Sequence, residues 1–167
     1  MRRLRGKEGG MRMSSQAAIK SHKTQKPFRY DLEKTLIALE RHLREYNDQV
    51  ETPYKIKGGV KLLLTRIYTI FVTQWNWSNN QNTSHHYFSS DDKAYPVLYT
   101  CNASLATQIG VTKRTIINNL MLLQGEKEGQ KKPPEVLKKG FGRRDTLYPL
   151  LLNPKLMVKI PPPKNAP

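Results

Sequence analysis

A mainly α-helical fold with a small β-hairpin is predicted by three observations. Apolar residues recur at spacings of three and four over residues 31–48, and a broader apolar stripe follows over 60–75. Residues 100–124 hold two shorter runs of the same kind, divided by a glycine at 110. Residues 135–152, reached after a charged loop containing Pro133 and Pro134, fit a hairpin.

The elements follow in order. Residues 1–29 are rich in Arg, Lys, Gly, Ser and Gln and lack apolar periodicity, which predicts a basic disordered arm. Residues 30–57 are read as an amphipathic helix and a linker. Asp31 is placed to cap the helix, and Leu32, Leu36, Leu39, Leu43 and Tyr46 form its seam, with Glu33, Lys34, Glu40, Arg41, Arg44 and Glu45 outside it. Such a seam suits a helix docked on its own domain, the favoured reading, or a homodimer through the 31–48 helix.

Pro53 and the pair Gly58 and Gly59 break the pattern. The main domain is expected over 58–160. Its first helix, from about Val60 to Trp75, places Val60, Leu63, Leu64, Ile67, Ile70 and Phe71 in a stripe wide enough for a central core helix. Trp75 and Trp77 are expected as core or cap residues. Residues 76–92 are rich in Asn, Ser and His and read as a long polar loop. A short strand is expected at 95–99. Residues 161–167 contain four prolines, which predicts an extended, disordered tail.

Charge narrows the function. Lys and Arg number 29 against 13 Asp and Glu, giving a net charge of +16 and a pI of about 10.1. A small chain with that excess is self-repulsive until it meets a polyanion, and basic side chains that neutralise phosphates also release condensed counterions. Nucleic acid is therefore the first expected partner and an anionic membrane surface the second. The most apolar stretch, Val60 to Val72, is interrupted by Lys61 and Arg66, so no membrane span is expected. The basic N-terminus is followed by no apolar core of a signal peptide, and the single cysteine, Cys101, offers no intrachain disulfide. The expected location is the cytoplasm, in association with the nucleoid.

Enzyme chemistry finds no support. The sequence lacks a phosphate-binding Walker loop and a nucleophile–base pairing at a recognisable spacing. His85 and His86 form one pair without a second ligand pair, and Asp91 and Asp92 read as a turn. No metal, cofactor or small-molecule ligand is expected.

The most informative segment is 100–124. Thr100 or Asn102 is placed to cap a first helix that buries Leu105 and Ile109, with Ala106 small enough for a second helix to cross closely. Gly110 occupies the sharp turn, where a left-handed conformation costs glycine little. Val111 is expected to plug the inside of that turn. Thr112 caps a second helix in which Ile116, Leu120 and Leu123 face inward. Thr112, Lys113, Arg114, Ile117, Asn118 and Met121 then lie outside, as on a recognition helix entering a major groove. Arg can bind guanine bidentately, Asn suits adenine, and an apolar side chain can meet a thymine methyl.

The run L-A-T-Q-I-G-V-T-K-R-T-I-I-N-N-L, residues 105–120, resembles the helix-turn-helix of bacterial winged-helix proteins. Leu105, Ala106, Gly110, Val111, Thr115, Ile116 and Leu120 match that pattern, and Thr112 stands where a serine is usual. The short apolar segment 97–99 and the segment 140–148 fit the flanking strand and wing. The ending 148–154 is similar to that of such modules in plasmid and phage replication proteins. The resemblance covers about residues 58–160 and implies a winged helix-turn-helix preceded by an extra amphipathic helix. It also implies Lys138, Lys139, Arg143 and Arg144 as a basic wing. Residues 124–134 are longer and more charged than a usual helix-to-wing turn, and Pro149 interrupts the last strand.

The expected function is a double-stranded DNA-binding protein that acts by occupying a site, in transcriptional regulation or in replication or maintenance of a mobile element. RNA binding, sequence-independent packaging of nucleic acid, and a protein adaptor role are the alternatives.

Overall fold

Asp31 opens the first long element by the chemistry its position demands. Its carboxylate accepts from the Lys34 backbone N–H at 2.9 Å, satisfying a helix-end donor that has no partner within the helix. Helix α1 then runs over Leu32–Asn47. The computed structural model of the chain describes residues 28–81, 95–143 and 146–161, the side chains of 78–81 excepted. Of the disordered arm expected over 1–29, residues 1–27 lie outside the described residues, as do the pairs His85–His86 and Asp91–Asp92 and residues 162–167 of the expected tail. The arm is shorter than expected at its end, because Arg29 is held in a strand opposite Ile160.

The buried face of α1 is Thr35, Leu39, Leu43 and Tyr46. It is turned slightly from the expected seam, because Leu32 and Leu36 are only half-buried while Thr35 is fully enclosed. The threonine hydroxyl explains its burial: Oγ1 accepts from the Val158 backbone N–H at 3.0 Å. The α1 seam is thus covered by its own chain.

A 3₁₀ turn at Thr52–Tyr54 leads to helix α2, Gly59–Gln81. Leu63, Leu64, Ile67, Tyr68, Phe71 and Val72 are fully enclosed, and α2 touches all the other helices. Burying each large apolar side chain contributes about 1.5–3 kcal/mol, which makes α2 the centre of the core. The helix continues past Trp75, where a polar loop was expected. Trp75 packs with Tyr30 and Phe71, ring centroids 5.2 and 5.8 Å away, while Trp77 is exposed.

Strand β1, Arg29–Tyr30, pairs antiparallel with β5, Lys159–Ile160, and so joins the two ends of the compact unit 29–160. The side-chain amide of Asn76 holds Tyr30 by both of its backbone groups, each at 2.9 Å.

Strand β2, Val97–Thr100, pairs with β4, Tyr148–Leu152, and β4 pairs with β3, Leu137–Lys139. This antiparallel sheet has the order β2-β4-β3. Pro149 therefore lies in the central strand, which its missing N–H would seem to forbid. The register removes the conflict. Pro149 accepts from Gly140 N–H at 3.2 Å, so its absent donor would have faced Gly140, beyond the end of β3 where the ladder opens into the hairpin loop.

Tyr68 connects α2 to this sheet. Its hydroxyl donates to the Val136 carbonyl at 2.6 Å and accepts from the Asn153 N–H at 3.0 Å. Burial pushes its pKa well above the ordinary tyrosine value. The long segment 124–134 is a strut. Gln130 donates to Tyr46 and to the Leu122 carbonyl, Lys127 reaches the Pro53 carbonyl at 2.9 Å, and His42 meets the Pro134 carbonyl at 2.6 Å. Together these contacts fasten α1 and the 3₁₀ turn to the end of the last helix.

Candidate nucleic-acid interface

Two helices separated by three residues form the centre of the site. Helix α3 spans Asn102–Ile109 and α4 spans Lys113–Leu123. Leu105, Ile116 and Leu123 are fully buried, and Ala106 and Leu120 nearly so. These are expected inward residues, joined by Leu122. Ile109, also expected to be buried, is only half-buried, because it is the last residue of α3, directly before the turn at Gly110.

The turn between the helices depends on Gly110, which ends α3 at φ 82° and ψ 36°. A side chain would meet no atom within 4 Å there, so the requirement for glycine is conformational rather than steric. The backbone N–H groups of Gly110 and Val111 both donate to the Ala106 carbonyl, at 2.8 and 3.0 Å. Thr112 then accepts from the Thr115 N–H at 3.1 Å, capping α4 as expected.

Two details differ from expectation. Val111 is 38% exposed, so it does not plug the turn; the bonds to Ala106 close the turn through the backbone and leave the valine on the outer side. The cap of α3 is neither Thr100, which is buried in β2, nor Asn102. Cys101 takes that position without a side-chain hydrogen bond. Asn102 instead accepts from the Tyr148 hydroxyl, fixing the start of α3 to the start of β4. Burial raises the pKa of that tyrosine to about 12.

The outer surface of α4 gathers the expected residues. Thr112, Lys113, Arg114 and Asn118 are exposed, with Ile117 at 40% and Met121 at 39%. Neither α3 nor α4 contains an acidic residue, and the sequence has none from Lys93 to Gly125. Among the described residues, no carboxylate pairs with Lys113 or Arg114. Two cations and an amide therefore share a face with two apolar side chains, beside the open N-terminus of the helix.

The second group of expected residues lies on the β3–β4 hairpin. Lys138 and Lys139 are exposed on β3, and Arg143 is exposed in the loop beyond it. Lys138 Nζ lies 4.6 Å from the centre of the Tyr95 ring and donates to its hydroxyl at 3.0 Å, so it is held at the sheet edge. Among the described residues, Lys139 has no such tether. Arg144 lies outside the described residues. Gly140 sets the hairpin mouth by close approach: a Cβ there would fall 2.4 Å from Leu151 Cδ1 and 2.9 Å from Pro149 Cγ. Phe141, which sequence patterning did not single out, follows directly and is 99% exposed.

Among the described residues, no group of three His, Cys, Asp or Glu side chains is placed to hold a metal ion. No helix among them is long and apolar enough to cross a membrane. No protein-family model, curated protein or solved structure matches this chain, so its function is read from its own residues.

Proposed function

We propose that this protein binds double-stranded DNA through a winged helix-turn-helix, with α4 as the recognition helix in the major groove. The observation that carries the reading is the outer face of α4, where Lys113, Arg114, Ile117, Asn118 and Met121 are exposed above the buried Ile116, Leu120 and Leu123. Arg114 and Lys113 suit guanine edges or phosphates, Asn118 suits adenine, and Ile117 and Met121 suit thymine methyl groups. The Thr112 hydroxyl and the helix N-terminus suit a phosphate.

The surrounding topology supports the same reading. The order α2–β2–α3–α4–β3–β4, with β4 between β2 and β3, agrees with a winged helix in which the β3–β4 loop is the wing. Lys138, Lys139, Arg143 and Arg144 would then contact the backbone and position the protein without reading sequence. The function is site occupancy, as a transcriptional regulator or as a replication or maintenance factor of a mobile element. Because the α1 seam is covered by its own chain, dimerisation through that helix would rely on Leu36 and Ile37.

Fluorescence anisotropy with a labelled mixed-sequence duplex and a structured RNA of equal length tests the proposal. DNA affinity is expected to fall steeply between about 50 and 200 mM salt and to exceed RNA affinity throughout. Equal affinity for both polymers would favour packaging or RNA binding. Absence of salt-sensitive DNA binding would favour an adaptor.

A further inference from the structure

Phe141 stands in the β3–β4 loop, two residues beyond Lys139, where burial cannot account for it. At 99% exposure it is the most exposed large apolar side chain among the described residues. Its ring contributes nothing to the core, and its sequence neighbours are predominantly cationic: Lys138, Lys139 and Arg143 are exposed, and from Leu137 to Arg144 there is no acidic residue, Asp145 being the first. The hairpin mouth behind it is fixed, because Gly140 packs directly against Pro149 and Leu151. The register places Tyr148, at the loop end of β4, opposite Thr100, so the loop begins at the end of the sheet from which the chain leaves for α3.

Charge and ring select different parts of a partner. The surplus of exposed cations along 138–143 opposes pairing with a second copy of the same segment and favours a polyanion. Phosphate contacts have no use for an aromatic ring, whereas a base offers a face on which it can stack. Apolar side chains that enter duplex DNA do so between base steps, and entry is easiest where stacking is already weakened.

We infer that Phe141 is a stacking wedge that enters the duplex at a weakened base step while the cations beside it hold the flanking phosphates. The inference rests on the DNA-binding reading and adds a ligand preference to it. Duplex DNA with a mismatched, abasic or otherwise unstacked position is bound more tightly than the same duplex intact.

The test uses the full chain and two duplexes of one sequence, intact and with a single abasic site, the latter carrying 2-aminopurine beside the lesion. The wild type is expected to favour the abasic duplex roughly tenfold and to change the 2-aminopurine emission. Phe141→Ala is expected to lose both effects while keeping its affinity for the intact duplex and its thermal unfolding curve. Phe141→Trp is expected to keep the preference. An unchanged preference and emission change in Phe141→Ala would overturn the wedge, as would equal wild-type binding to the two duplexes. Salt-dependent wild-type binding without lesion preference refutes the wedge alone; no salt-dependent binding to either duplex refutes the DNA-binding reading beneath it.

Discussion

Helices α1 and α4 are built alike and differ in what they leave outside. Each begins at a capped residue, Asp31 or Thr112, and each buries one face in the same core. The outer side of α1 carries a balanced set, because the helix contains three acidic and three basic residues. Its Glu40 pairs with Lys61 of α2 at 2.6 Å, so part of that charge is answered within the molecule. Both helices hold apolar side chains open to solvent, Ile37 on α1 and Ile117 and Met121 on α4, so the difference lies in charge: α4 has Lys113 and Arg114 and no acid. Amphipathic spacing alone predicts docking for both. The composition of the exposed face separates a helix that closes a fold from one that presents a surface.

The largest test of that comparison concerns the shared feature. Leu39→Ala in α1 and Ile116→Ala in α4 each remove most of a fully enclosed side chain. Each is expected to cost about 2–5 kcal/mol in denaturant unfolding. A negligible loss in α1 alone would mean that the N-terminal helix is not part of the cooperative unit.

An alkaline titration sharpens the comparison from the sides of the two helices. Tyr30, next to the start of α1, and Tyr148, which bonds the start of α3, both have pKa values raised to about 12 from the ordinary 10.0, chiefly by burial. Because the folded state holds these protons more tightly than the unfolded chain, their stabilising contribution is complete below pH 10 and is lost as pH rises from 10 through 12. Unfolding followed against pH should show a fall that begins near pH 10, to which Tyr68, pushed up further by its complete burial, adds at higher pH. Tyr148→Phe should reduce the fall, and an unaltered fall would place its cause elsewhere.

A smaller effect is expected at the caps. Asp31→Ala and Thr112→Ala should each cost about 1 kcal/mol, measured by thermal unfolding. Thr112→Ala should in addition weaken DNA binding, whereas Asp31→Ala should leave it unchanged. Equal effects of the two substitutions on binding would break the distinction between the helices.

Much of this arrangement was legible in the sequence, for definite physical reasons. Helical spacing revealed α1, α2, α3 and α4 because their apolar residues bury on one side, and Gly110 marked the turn because few other residues adopt its conformation. The surface positions of α4 followed from the same periodicity. What was not legible depends on groups that every sequence shares. The strut over 124–134 bonds largely to backbone carbonyls, among them those of Pro53 and Leu122, which leave no trace in residue type. The β1–β5 pair is two residues long and has no period to detect. The burial of Thr35 depends on one hydrogen bond from distant Val158, which apolar spacing does not reveal. The apolar side chain of Val111 suits a turn plug, but two backbone bonds, which residue type does not show, already close the turn.

The central claim is that the outer face of α4 reads duplex DNA. Selection from a random duplex library tests it most directly, run in parallel on the wild type, the Lys113→Ala/Arg114→Ala/Asn118→Ala variant and a matched Lys34→Ala/Arg41→Ala/Arg44→Ala variant of α1. The account predicts one enriched motif for the wild type and the α1 variant, and loss or relaxation of that motif for the α4 variant. Enrichment of the same motif by the α4 variant, or of no motif by the wild type, would contradict it.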